Sequence, residues 1–439
     1  MKNIAIHLNN MKQLLFITLI FTFFSCGKDE TIINNTNPIE SSPNILLIIA
    51  DDMGKDATNG FSEGIIKPNT PNIDAIKNTG LSFNNFWVYP TCTPTRSSII
   101  TGKYGYRTGV KWVGDQLDLS ETILQKYINN NTSNTYATAI VGKWHLSANN
   151  TTINPENLGL DYYAGIFNGA VSNYYNWELT ENINTTTQTE YTTKKLTDLG
   201  IDWIKEQEKP WFMWLAYNAP HTPFHVPPNE MHSQGNLPDY TNGIDETPYF
   251  MAAIEAMDFQ IGKMINSLTE DEKENTIIIF IGDNGTTSEV VQSPYTRNKA
   301  KGSLYQGGIN TPMFISGKGV SRTGIDNNLI TSTDLFATIA EISGVSVNEI
   351  HDSKSFKSLL YQPSTIRHFQ YSEKDDGTNN LWTISNGNYK LIEKANSNKE
   401  LYNLINDAYE QNNLLNGTLS NTETNAKTEL ENELLNIRQ

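Results

Sequence analysis

The residues of this 439-residue chain best suited to chemistry fall into a few short polar clusters. Cys92-Thr93-Pro94-Thr95-Arg96 sets a thiol, two hydroxyls and a guanidinium around a proline. Thr93 suits a helix N-cap and Pro94 the first helical turn, so Cys92 is expected at a helix N-terminus, where backbone donors and the macrodipole favour an anion. Asp51-Asp52 and Asp283-Asn284 are two further short clusters, whose side-chain oxygens are hard donors. Lys143 and His145 stand two apart, and at the end of a strand both would point to one side. His221 lies within Ala219-Pro220-His221-Thr222-Pro223, and Lys299 and Lys301 precede the pair Gly307-Gly308. Taken singly, an Asp pair is usually a turn, a lysine a solvated charge and a histidine a packing residue. The elements that carry these clusters decide between the two fates.

Asn44 to Ala50 is a continuous apolar, β-branched run, which reads as a buried parallel strand ending in Asp51-Asp52. The same design recurs at Tyr136 to Val141 before Gly142-Lys143-Trp144-His145, at Trp211 to Tyr217 before Asn218, and at Thr276 to Ile281 before Gly282-Asp283-Asn284. Helical patterns at Thr192 to Gln207 and Tyr249 to Leu268 alternate with these runs, as in an α/β fold whose ligands bind outside the carboxyl ends of the strands. A further strand is expected at Pro312 to Ser316 and a helix at Ser332 to Ser343. After residue 348 the texture changes to short strand candidates at His368 to Ser372, Leu381 to Ser385 and Tyr389 to Ile392, then a helix from Thr422 to Ile437. The fold class is therefore α/β, a large mixed and mostly parallel sheet sandwiched by helices, with a smaller C-terminal α+β subdomain. The expected boundaries are 44–348 for the larger part and 349–439 for the smaller, and Thr180 to Thr193 is expected to be a surface loop or hairpin.

With Ser97-Ser98-Ile99-Ile100-Thr101-Gly102 behind it, the Cys92 pentapeptide closely resembles the signature of type I sulfatases, members of the alkaline-phosphatase-like superfamily whose cysteine is oxidised to formylglycine. The family pattern is cysteine, any residue, proline, usually serine, then arginine; Thr95 stands at the serine position. The resemblance runs from about residue 44 to residue 414, through Gly159-Leu160-Asp161-Tyr162-Tyr163 and Glu400-Leu401-Tyr402-Asn403-Leu404. It implies a catalytic domain over 44–348 and a cation, Ca2+ with Mg2+ as the alternative, among Asp51, Asp52, modified Cys92, Asp283 and Asn284. It also implies that Lys143, Lys301 and Arg96 meet sulfate oxygens or the nucleophile, with Lys301 preferred to Lys299 because it directly precedes Gly302. His221 would protonate the leaving alcohol, and His145 would take the proton that frees the product from the formylglycine hydrate.

The partners implied are a sulfated carbohydrate and a formylglycine-generating enzyme. His225 matches no family position and is expected at the surface or in the substrate pocket, while Tyr174, Tyr175 and Trp177 are candidates to stack on a sugar. Two rivals stay open: a phosphonate or phosphate ester hydrolase of the same superfamily, and a non-catalytic lipoprotein that binds sulfated glycans. Substrate specificity is expected to reside in the loops Asp161 to Trp177 and Thr222 to Thr247.

Composition sets the outer limits. With 32 basic against 48 acidic residues, the formal net charge of -16 leaves no basic footprint for nucleic acid, so an anionic substrate must be met by a local cluster of cations. Lys2 and Lys12 precede the apolar run Leu14 to Phe24, the layout of a secretory signal peptide over residues 1–25. Ser25-Cys26-Gly27 resembles a bacterial lipobox, which implies a lipid anchor at Cys26, a polar tether over 26–43, and an exported lipoprotein of the cell envelope. Of the two cysteines, that leaves Cys92 without a partner, and no internal disulfide is expected.

Overall fold

The computed structural model describes residues 42–148, 155–395 and 398–439. The expected signal peptide and Cys26 lie outside the described residues. Ten strands form one sheet: β1 Asn44–Ala50, β2 Leu81–Trp87, β3 Ala137–Lys143, β4 Tyr162–Ile166, β5 Trp177–Glu181, β6 Asn184–Gln188, β7 Trp211–Ala216, β8 Thr276–Gly282, β9 Met313–Gly317 and β10 Gly324–Thr331. Their spatial order is β10-β2-β9-β8-β1-β7-β3-β4-β5-β6. The central block β8, β1, β7, β3 and β4 is parallel throughout, and β9 and β5 run antiparallel to their neighbours. The stretch expected as a loop or hairpin is the hairpin β5–β6, which forms one edge of this sheet.

The continuous apolar character of β1 follows from burial on both faces. Ile45, Leu47 and Ile49 enter one core with Ile99, Leu124 and Ile339 from the helices Cys92–Thr101, Leu124–Asn131 and Asp334–Ile342. Leu46, Ile48 and Ala50 enter the other with Ile73, Leu196 and Ile254 from the helices Pro71–Thr79, Thr192–Lys205 and Thr247–Ser267. Each fully buried Leu or Ile is worth about 1.5–3 kcal/mol, so this strand alone anchors both layers. Gly142 is required where β3 meets β7: it has φ +110°, and a Cβ there would lie 1.9 Å from the Ala216 carbonyl oxygen.

The smaller sheet is an antiparallel meander of Gln370–Asp375, Asn380–Ser385, Tyr389–Lys394 and Lys399–Asn403. Its fourth strand, with the charged sequence Lys-Glu-Leu-Tyr-Asn, has no apolar run to announce it. Leu430 and Leu434 of the helix Asn421–Ile437 cover one face, packing on Tyr371, Ile384, Leu391 and Leu401. Ser420 caps that helix reciprocally with Glu423. The Gln370 amide donates to the carbonyls of Asn85 and Ile330 at 2.8 and 2.7 Å, which ties the meander to β2 and β10.

Candidate active site

Four adjacent parallel strands, β8, β1, β7 and β3, end at the same edge of the large sheet. Asp283, Asp51, Asn218 to His221, and Lys143 to His145 therefore emerge side by side, as the sequence pattern requires. The ladders continue one step past the strands: Asp283 N–H donates to Ala50 O at 3.1 Å, Asp51 N–H to Ala219 O at 3.2 Å, and Tyr217 N–H to Ile49 O at 3.0 Å. Asp52 and His145 then turn off with φ of 71° and 56°, left-handed values that non-glycine residues rarely adopt.

Cys92 is the first residue of a ten-residue helix in which every side chain is buried. The cap differs from the expected one: Thr91, with extended φ and ψ, holds the N-cap position, and Thr93 lies inside the first turn. The reason is the hydroxyl of Thr95, which accepts the Tyr89 N–H at 3.0 Å and reaches the Thr91 carbonyl at 3.2 Å, fixing where the helix begins. Threonine at this position therefore supplies the hydroxyl the turn needs. Cys92 Sγ lies 3.2 Å from His145 Nδ1. Burial pushes the thiol pKa up and outweighs the neighbouring Lys143, so the unmodified residue is a poor thiolate despite its helix terminus.

Three ion pairs define the electrostatics. Lys143 Nζ donates to Asp51 Oδ2 at 2.6 Å, Arg96 Nη2 to Asp283 Oδ2 at 2.7 Å, and Lys301 Nζ to Asp52 Oδ2 at 2.7 Å. Arg96 also donates to the Lys143 carbonyl at 2.7 Å, so it braces two strand ends at once. Burial and the Asp51 carboxylate push Asp283 up to about 6 against the pull of Arg96. Burial works against the Asp52 carboxylate as well, yet Lys301, His221 and Lys143 hold it well below the usual carboxylate range. Burial, Lys143 and Arg96 push His145 down to about 2, which keeps its ring neutral. His221 fixes its Nδ1 on the Thr222 carbonyl at 2.7 Å and leaves Nε2 3.8 Å from Asp52 Oδ2.

The residues fit a hard divalent cation. Single ligand atoms of Asp51, Cys92 and Asp283 lie within 4.8 Å of one another, as do those of Asp51, Asp52 and His221. Asp51 Oδ1 and Asn284 Oδ1 are buried without a hydrogen-bond partner, an expensive state for oxygens that nothing binds. Asn284 Nδ2 meanwhile donates to Asp52 Oδ1 at 2.8 Å, which orients its amide.

Lys301 enters this cluster and Lys299 does not. Lys299 Nζ bonds the Glu410 carbonyl and lies 4.6 Å from the Tyr305 ring centroid. His225, expected at the surface or in a substrate pocket, is instead stacked on Tyr174 at 3.7 Å between centroids and bonded to Tyr191 Oη at 3.1 Å. Tyr174 and Trp177 are buried too deeply to stack on a sugar. The Tyr174 hydroxyl donates to the carbonyls of Asn218 and His221 at 3.0 and 2.7 Å, which makes it a clamp on the His221 turn. Tyr175 is more than a third exposed, but its hydroxyl is taken by the Val226 carbonyl at 2.9 Å.

Other contributors had no local signal. Thr286 Oγ1 accepts the Gly54 N–H at 3.1 Å and donates to Asp56 Oδ1 at 2.6 Å, locking the loops after β1 and β8 together. Only its place two residues after Asn284 could have flagged it. Asn218 buries an amide with neither Nδ2 nor Oδ1 partnered.

Comparison with known proteins settles the family. A family model described as Sulfatase matches residues 43–345. The chain belongs to the sulfatase family. A second model, N-sulphoglucosamine sulphohydrolase, C-terminal, matches residues 299–439. The uncharacterized sulfatase YdeN of Escherichia coli (strain K12) is 29% identical over 367 residues, which cover 70% of this chain and 64% of that protein. An arylsulfatase of Hemicentrotus pulcherrimus is 28% identical over 389 residues, covering 79% of this chain and 67% of its own. The chain thus spans about two thirds of the length of these relatives. The crystal structure of Ps i-CgsB in complex with k-i-k-neocarrahexaose superposes with a TM-score of 0.75 at 25% identity, over 89% of this chain and 92% of that one. The large mixed sheet with its small C-terminal antiparallel sheet is the fold this chain shares with that structure.

Proposed function

We propose that this sulfatase hydrolyses sulfate esters of a carbohydrate, using Cys92 matured to formylglycine and one divalent cation, with calcium favoured over magnesium. The observation that carries the reading is the convergence of Cys92 with Asp51 and Asp283 within 4.8 Å, beside buried oxygens of Asp51 and Asn284 that have no other partner. Asp51, Asp52, Asp283 and Asn284 would hold the cation, and hard oxygen donors suit calcium. When present, the hydrated formylglycine supplies the nucleophilic hydroxyl and the cation supplies positive charge toward the sulfate oxygens.

The chain's own residues do the rest. Lys143, Lys301 and Arg96 surround Cys92 with preorganised positive charge, each worth about 3 kcal/mol of transition-state stabilisation on the scale of single oxyanion donors. His221 presents Nε2 because Nδ1 is committed to Thr222, so a proton on Nε2 can pass to the leaving alcohol. His145, neutral and 3.2 Å from the Cys92 side chain, is placed to take a proton from the group at position 92. The lipobox-like Ser25-Cys26-Gly27 supports work outside the cytoplasm on an external glycan.

The test is direct. Protein co-produced with a formylglycine-generating enzyme should show, in the Cys92 peptide by mass spectrometry, loss of the thiol and gain of an aldehyde. It should also turn over an aryl sulfate faster than the matched aryl phosphate. Wild-type turnover by Cys92→Ser, or a preference for the phosphate, overturns the reading.

A further inference from the structure

We propose that the cleft lined by the residues that follow His221 seats the leaving sugar and accepts rings that carry no negative charge of their own, an inference that rests on the sulfate-ester reading above. The proton for the leaving oxygen comes from the side on which His221 stands, so the residues that follow His221 border the leaving group. Thr222, Pro223 and Phe224 line a cavity of ≈ 490 Å³ together with Tyr240, Glu246 and Glu289. Its wall Ala170 to Ser172 is shared with a second cavity of ≈ 510 Å³ that contains Glu178. That wall starts next to Gly169, whose Cα faces the His145 ring so closely that a Cβ would lie 2.3 Å from Cε1. The residue after His221 thus lines the first cavity, those flanking Gly169 line the second, and each has the size of a ligand site.

The walls have a consistent chemistry. Phe224 and Tyr240, 5.4 Å apart between centroids, offer aromatic faces suited to the apolar face of a sugar. Glu246 accepts from Tyr240 Oη at 3.2 Å and retains acceptor capacity for sugar hydroxyls. Glu289 is kept ionised: burial opposes its charge, but hydrogen bonds from Thr287 and Ser288 hold its carboxyl below the ordinary range. Neither cavity is lined by a lysine or arginine.

Of the neighbouring cations, Lys374, which reaches the Gly302 carbonyl, is paired with Asp376 at 3.0 Å and Lys111 with Asp375. An added sulfate or uronate on the leaving ring would face Glu246 and Glu289 with no lysine or arginine in either cavity wall to compensate, whereas a neutral ring meets acceptors for its hydroxyls.

The experiment compares two disaccharides that differ only by a second sulfate on the leaving ring. Binding is measured by calorimetry on the calcium-loaded Cys92→Ser chain, and kcat/KM on the mature protein. At low salt the monosulfated form is expected to win by about tenfold in both, and the gap should close at high ionic strength. In the double variant Glu246→Gln/Glu289→Gln, checked for folding by its thermal transition, the ratio should fall to about twofold. Equal or tighter binding of the disulfated sugar, absence of binding by either, or an unchanged ratio in the double variant overturns the cleft assignment. Failure of the mature protein on aryl sulfate overturns the sulfate-ester reading instead, and the binding ranking still judges the cleft.

Discussion

Two regions of the active site are positioned by different physics. The strand-end half, Asp51, Asp52, Lys143 and Asp283, hangs from four strands joined by three hydrogen-bonded ladders, whose register is fixed by cores on both faces of the sheet. The other half, His221, Lys301 and the wall Gly169 to Tyr175, is carried by connections and held by single hydrogen bonds to other segments rather than by a ladder. The Lys301 segment is an example. Lys301 N–H bonds Thr286 O at 3.1 Å, Gly302 N–H bonds Pro90 O at 2.7 Å, and Gln306 N–H bonds Glu410 Oε2 at 2.6 Å. Glu410 is itself buried against Lys390 of the small sheet. The backbone thus places the first half, and tertiary pairing places the second.

The difference is sharpest where one partner of each kind is removed. Asp283→Ala leaves the Arg96 guanidinium buried without its carboxylate, which should cost about 3–5 kcal/mol in a denaturant melt. Aryl sulfate turnover should fall by about a thousandfold or more. Adding Arg96→Met should recover much of the stability and none of the turnover. A single variant as stable as the parent would break the claim that this edge is held electrostatically as well as by its ladders.

On the wall side, Gly169→Ala should act through His145 alone. The new Cβ would lie 2.3 and 2.4 Å from Cε1 and Nε2 of the ring, so the ring must turn away from the Cys92 side chain. A displacement of about 1 Å at a reacting group can cost about a hundredfold, and kcat should fall by that order with the thermal midpoint nearly unchanged. Unchanged kcat would mean the ring has another equally productive pose.

How much was legible follows the same division. The runs before Asp51, Lys143, Asn218 and Asp283 are continuous and apolar because those strands are buried on both faces, so they announce themselves and the residues they end in. β2 is interrupted by the partly exposed Asn84-Asn85 and β10 by the buried Asp326 and the partly exposed Asn327-Asn328, and neither carries such a run. The wall contacts join residues such as Tyr174 and His221, 47 apart, or Gln306 and Glu410, 104 apart, which no local pattern connects. That is why Tyr174 reads as a candidate to stack on a sugar and His225 as a surface or pocket residue, while both are packed against each other in the wall. The cleft loops could be named, but their charge could be judged only once folded.

The small sheet offers a milder test. Glu410→Gln strands the Lys390 ammonium, which burial already pushes below the ordinary lysine range, and should cost about 3 kcal/mol. Because the same carboxylate holds Gln306 N–H, kcat should fall by about tenfold as the Lys301 segment loosens. Pairing it with Lys390→Met should restore stability but leave kcat low. Full recovery of kcat would show that the meander only supports the fold.

His225 gives the smallest effect and the clearest sign. Burial pushes it down to about 4 from 6.5, so it is neutral in the fold and must charge in acid. A depressed histidine pKa contributes stability that is complete above pH 6.5 and is lost as pH falls through 4. Discounting for the partly exposed ring, the loss should be about 2 kcal/mol over that window. His225→Phe keeps the stack on Tyr174 but gives up the bond to Tyr191 Oη, so it should be about 1 kcal/mol less stable at neutral pH and lack the acid loss. The two stability curves should therefore converge as pH falls below 6.5 and cross before pH 4. Since His225 backs Tyr174, and Tyr174 clamps the His221 turn, acid should loosen the wall before the strand-end edge. Parallel curves over this range would place the ring in solvent rather than in the wall.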